Sequence, residues 1–96
     1  MRTQREFFAA LAKCRNGWTI DRVSRYFVIR HGRHCPITAV VDAETGVEYA
    51  SPDYDTAANA IGLPRALANR IAKAADSRDA EPRLRKRILA ALGLSE

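Results

Sequence analysis

The chain has 96 residues, 47% of them hydrophobic and 28% charged, and 16 Lys and Arg against 11 Asp and Glu give it a net charge of +5. It is too apolar to be a disordered chain and too short for a second core, so one domain spanning 1–96 is expected. No run approaches the ~18–20 consecutive apolar residues of a membrane span. Phe7 to Ala12 runs into Lys13 and Arg15 with no small-residue cleavage site, unlike a signal peptide. The cytoplasm is the expected compartment, with Cys14 and Cys35 reduced.

Charge is written unevenly along the chain. Residues 1–34 carry eight Lys or Arg and two acids, 35–64 carry five acids and no Lys or Arg, and 65–96 carry eight Lys or Arg and four acids. Excess positive charge favours a polyanionic partner, whether nucleic acid, an acidic protein face or an anionic membrane, although the small, Ala-rich apolar stripe of the C-terminal segment speaks against a membrane. The two basic blocks are either separate solvated faces or two halves of one binding face.

Thr3 and Glu6 form a capping-box pair ahead of Phe7, Phe8, Leu11 and Cys14 at helical spacing, so a helix is predicted there, ended by Asn16-Gly17. Residues 18–21 and 26–30 are aromatic and β-branched runs of strand length, and 22–25 between them makes a hairpin turn. Residues 31–34 read as a polar turn.

Segment 35–46 admits two readings. As a helix, Pro36 opens the first turn, Ile37, Val40 and Val41 share a face, and Gly46 is the cap. As a hairpin, 37–41 turns through 42–46 and returns along 47–50, and the β-branched run leans that way. A short helix follows over 53–61, interrupted by Gly62. A second runs from Pro64 to about 75. A third runs from Pro82 to 92, closed by Gly93, with Leu84, Ile88 and Leu92 as its apolar stripe. The sum is an α+β fold, a small antiparallel sheet packed with about four short helices.

The segment TAANAIGLPRALANRI (56–71) resembles the helix-turn-helix of bacterial and phage repressors. Ala58, four residues before Gly62, lets two helices cross closely. The glycine makes the turn, Ile61 and Leu63 flank it, and Ile71 closes the core face. Within 56–73 the second helix would present Arg65, Asn69, Arg70 and Lys73. Arg matches the paired acceptors of guanine, Asn the donor–acceptor pair of adenine, and Lys a phosphate. Repressors usually lead with a helix packed on the motif, whereas the segment before this one reads as sheet. Trp18, Tyr26 and Phe27 among Arg22, Arg25 and Arg30 would suit base stacking on a sheet, but core aromatics give the same pattern.

His31, His34, Cys35 and Cys14 contain no Cys-x-x-Cys pair, so neither zinc nor any cofactor is predicted. His34 and Cys35 lack a third orienting group for nucleophilic chemistry. Asp42, Glu44, Glu48, Asp53 and Asp55 have no catalytic spacing, and there is no glycine-rich phosphate loop. An enzyme is not expected.

Trp18, CPITAV (35–40), Ala57-Ala58 with IGL (61–63), Ile71-Ala72 with Ala75-Asp76, and Arg83-Leu84 with ILAALGL (88–94) resemble small open reading frames of α-proteobacterial phages, prophages and gene-transfer-agent clusters. The likeness covers nearly the whole chain. Proteins of this size and origin include the anti-CRISPR proteins, mostly non-enzymatic binders, some of which occlude the DNA path of a type I Cascade complex. The resemblance implies a phage-derived monomeric inhibitor, of type I and within it type I-C, that sterically blocks a CRISPR–Cas subunit. It assigns no residue a role. By charge alone, the candidate contacts are Arg22, Arg25, Arg30, Arg33, Arg65, Arg70, Arg83 and Arg87. A basic chain does not mimic DNA over its whole surface, so it would dock on an acidic protein face or use the 35–64 acids locally. The alternative is a DNA-reading regulator using Arg65, Asn69, Arg70 and Lys73.

Overall fold

A computed structural model describes residues 1–14, 18–20, 27–29, 32–33, 35–49, 53–76 and 81–94. Among these residues the protein is a helical globule of five helices: α1 (Gln4–Lys13), α2 (Pro36–Thr45), α3 (Tyr54–Ala60), α4 (Arg65–Asp76) and α5 (Pro82–Leu92). Strand pairing is confined to β1 (Thr19–Ile20), β2 (Phe27–Ile29) and β3 (Gly32–Arg33). They meet in short antiparallel ladders, Thr19 opposite Val28 and Val28 opposite Arg33.

This overturns the α+β expectation. The core is built helix on helix, and the paired residues form a narrow ribbon at its side, with Trp18 and Ile20 packed inward. The decisive segment is 35–46, where the leaning towards a hairpin fails. Cys35 is the N-cap, Pro36 the first helical residue, and Gly46 closes the helix at φ +74° with its N–H donating to the Asp42 carbonyl. The segment 47–49 that was to return as a strand carries no strand, and Val47 stands exposed. The physical reason is burial. Residues 36–41 are buried on every side. The helical penalty of Ile, Thr and Val is a few tenths of a kcal/mol each, whereas burying an Ile or Val side chain contributes about 1.5–3 kcal/mol.

The other helices follow their local signals. Thr3 and Glu6 make the reciprocal capping box of α1. This helix buries Phe7 and Leu11 completely, chiefly against α5. Helices α2, α3 and α4 pack in all three pairings, and α1 and α5 close the globule by packing on each other and on α2 and α4 respectively. Leu84, Ile88 and Leu92 of α5 are buried, as their spacing predicts. Arg85 is buried beside them and was not predicted. No described helix is long and apolar enough to cross a membrane.

Candidate nucleic-acid interface

The 56–71 segment folds as two helices joined by a four-residue turn, Ile61 to Pro64. The turn is set by hydrogen bonds that satisfy the last carbonyls of α3. The Leu63 N–H donates to the Ala58 carbonyl at 2.9 Å, and the Gly62 N–H to the Asn59 carbonyl at 3.2 Å. This is a Schellman closure, which requires a left-handed residue where Gly62 sits at φ +70°. Pro64 stands just before α4, and its carbonyl accepts from the Ala68 N–H at 2.8 Å. Ala58, Ile61, Leu63 and Ile71 are buried, the positions the sequence picks out. Ala57 and Ala68 complete the same inner face at 0% exposure. Neither was assigned to this inner face from the sequence, because alanine carries so little periodic signal.

The leading helix that the sequence seemed to lack is α2. It packs on both α3 and α4, so the pair stands in the three-helix context that a helix-turn-helix reading requires. A second tie comes from the chain start, where the Arg2 N–H donates to the Gly62 carbonyl at 2.7 Å. The Arg2 guanidinium grips Glu44 of α2 with two bonds, 2.9 and 2.6 Å. That hydrogen-bonded carboxylate pushes the Arg2 pKa further up, so the clamp on α2 and the turn keeps its charge.

The outward face of α4 carries Arg65, Asn69 and Lys73, spaced four residues apart along one side of the helix, with Arg70 beside them. Arg65, Arg70 and Lys73 are exposed and Asn69 is half-buried. Arg70 lies 3.8 Å from Glu81, both side chains about half exposed, a pair too open to hold the arginine in place. Asn69 is the most constrained of the four, because its Oδ1 accepts a 2.8 Å hydrogen bond from the Tyr54 hydroxyl at the start of α3. An open groove beside the turn is lined by Asp55, Thr56, Asn59, Leu63 and Arg65.

The remaining candidate arginines divide. Arg83 is exposed on α5. Arg87 is turned towards α1, its guanidinium carbon 5.1 Å from the centre of the Phe8 ring, so it fastens α5 to α1. Arg33 lies in β3. Arg22, Arg25 and Arg30 lie outside the described residues, as do Tyr26, His31 and His34. The one aromatic of the stacking set whose side chain is described, Trp18, is buried in the core. Among the described residues no three His, Cys, Asp or Glu converge as a metal site. Cys35 serves as the α2 cap, and half-burial pushes the Cys14 thiol up in pKa, with Glu44 and Asp42 adding to the shift.

Arg85 is the functional-looking charge with a structural task. It is 3% exposed, and its guanidinium donates to the carbonyls of Ala74 and Ala75 at 3.3 and 2.5 Å. These carbonyls belong to the last turn of α4, where the helix leaves acceptors unpaired and its dipole favours a cation. The end of α4 is thereby fixed to α5. Comparison with protein-family models, curated proteins and solved structures finds no match to this chain.

Proposed function

We propose that this protein binds duplex DNA as a helix-turn-helix module, with α4 in the major groove. The observation that carries the reading is the mutual packing of α2, α3 and α4 around a left-handed Gly62 turn, with basic and amide side chains on the outward face of α4. Arg65 and Arg70 supply bidentate donors suited to guanine. Asn69 supplies an amide for a base edge, and Lys73 a phosphate contact at the far end of the helix. Arg83 on α5 adds positive charge for backbone contacts.

The test is selection from a random duplex library by the purified chain. Enrichment of a defined site, with recovery lost in Arg70→Glu and Arg65→Ala, is the expected result. Recovery of sequences no different from the input would sink the DNA reading. The binder then left is the one the phage resemblance implies, an inhibitor docking on an acidic face of a CRISPR–Cas complex. Its own test is protection of a phage in a CRISPR-immune host.

A further inference from the structure

We infer that Tyr54 is a specificity-determining positioning residue that acts through Asn69, an inference that rests on the DNA reading above. Tyr54 is the first residue of α3 and Asn69 lies one turn into α4, so the bond between them spans the two helices of the motif. The Tyr54 hydroxyl donates to Asn69 Oδ1 at 2.8 Å, with the Tyr54 ring packed against the core cluster and Asn69 half-buried. The Asn69 amide nitrogen makes no hydrogen bond among the described residues.

The consequence follows from the chemistry of a carboxamide. A free asparagine amide rotates about its last bond, and turning it over exchanges a carbonyl acceptor for two N–H donors. Adenine, with a donor at N6 and an acceptor at N7, is matched bidentately by one of these orientations alone, whereas guanine, with two acceptors, is matched bidentately by neither. A phenol has a hydroxyl hydrogen to donate, and the oxygen of the amide accepts it. A phenol accepts as well as donates, so the bond restrains the rotation of the amide, and in this structure the amide oxygen is the end that faces the phenol. One lone pair of Oδ1 remains, alongside both N–H donors, and this is the donor–acceptor pair that adenine N6 and N7 match. Tyr54 touches no base in this scheme. It restrains the group that does, removing in advance the rotational freedom that binding would otherwise have to quench. Tyr54→Phe keeps the packed ring and deletes only the donor.

The experiment uses the full chain and the duplex enriched by it. Affinity is measured for that duplex and for variants in which the base pair contacted by Asn69 is changed between A·T and G·C, with wild type, Tyr54→Phe, Asn69→Ala and the double variant. Wild type is expected to prefer A·T at that position by about tenfold or more, in line with a bidentate pair. Tyr54→Phe is expected to lose at least about fivefold of that preference, while its salt dependence and unfolding midpoint change little. In the Asn69→Ala background, Tyr54→Phe is expected to leave the preference where Asn69→Ala put it, because the phenol acts only through the amide. A role in packing alone would weaken all duplexes alike. Full preference retained by Tyr54→Phe overturns the inference and leaves the DNA reading standing. A wild-type chain that selects no duplex overturns both.

Discussion

Arg85 and Gly62 show how single residues hold the candidate site together. Among the described residues Arg85 is the one charged side chain the fold takes inside, and it does so to satisfy two carbonyls at the end of α4. Replacing it with methionine keeps the bulk and removes the donors, leaving buried carbonyls unsatisfied. The expected loss is about 2 kcal/mol of unfolding free energy, in the range of hydrogen bonds to charged groups. Urea unfolding measures it directly, and an unchanged midpoint would show that the carbonyls find other partners. At Gly62 a β-carbon would meet nothing within 4 Å, so the objection to a side chain is the left-handed backbone alone. Gly62→Ala should therefore lower stability by about 1 kcal/mol and Gly62→Asn by less, because asparagine tolerates this conformation better. Equal losses for the two variants would argue against backbone strain as the cause.

The same scale explains the cysteines. Cys35 caps α2 weakly through sulfur, accepting from the Thr38 N–H at 3.5 Å. Serine is a better cap, so Cys35→Ser is expected to be neutral within about 0.5 kcal/mol, and Cys35→Ala to cost about 1 kcal/mol. Cys14 keeps its proton to higher pH than an ordinary thiol because half-burial disfavours the thiolate. It should alkylate more slowly in the native protein than in the urea-unfolded chain at mildly alkaline pH, and matching rates would contradict the burial argument.

At the level of elements, four helices were legible because their signals are local. The Thr3–Glu6 capping box, Pro82 at the first turn of α5 and the glycine after α3 each fix an end, independent of what packs above. Helix α2 was legible only as one of two readings, because its β-branched run leans towards a strand and its burial is a matter of context. Its ends were marked correctly by Pro36 and Gly46, and Ile37, Val40 and Val41 suited a helix face by spacing but a strand by their branching at Cβ. A peptide of residues 35–47 should be largely unstructured by circular dichroism, since ten helical residues of this composition lie below the length at which isolated helices persist in water. Strong helicity in the peptide would mean that local propensity, and not burial against α3 and α4, decides this element.

For the whole molecule, the misread element concealed the arrangement that matters most. With 36–46 open between helix and hairpin and leaning to the hairpin, the 56–71 segment had no assured helix ahead of it, and the phage resemblance pointed to a protein partner. With α2 in place, the same segment sits in a three-helix unit. The outward residues Arg65, Asn69, Arg70 and Lys73 could be read from spacing, because an exposed helical face is periodic in sequence. The Tyr54–Asn69 bond and the Arg85 cap could not, since each joins residues of two helices more than a turn of chain apart. The charge blocks also resolve only in part. Arg2 of the first block is spent on Glu44 of the acidic one, which is mutual neutralisation, whereas Arg65, Arg70, Lys73 and Arg83 of the last block remain exposed.

The measurement that bears most directly on the proposed DNA-binding face is the affinity of wild type and Arg70→Glu for the enriched duplex and a scrambled one, across a salt series. The expected outcome is a preference for the enriched duplex of about a thousandfold or more, affinity falling steeply with salt, and the loss of most of both in Arg70→Glu. Equal affinity of wild type for the two duplexes, unmoved by the charge reversal, would contradict it and turn attention to a protein partner.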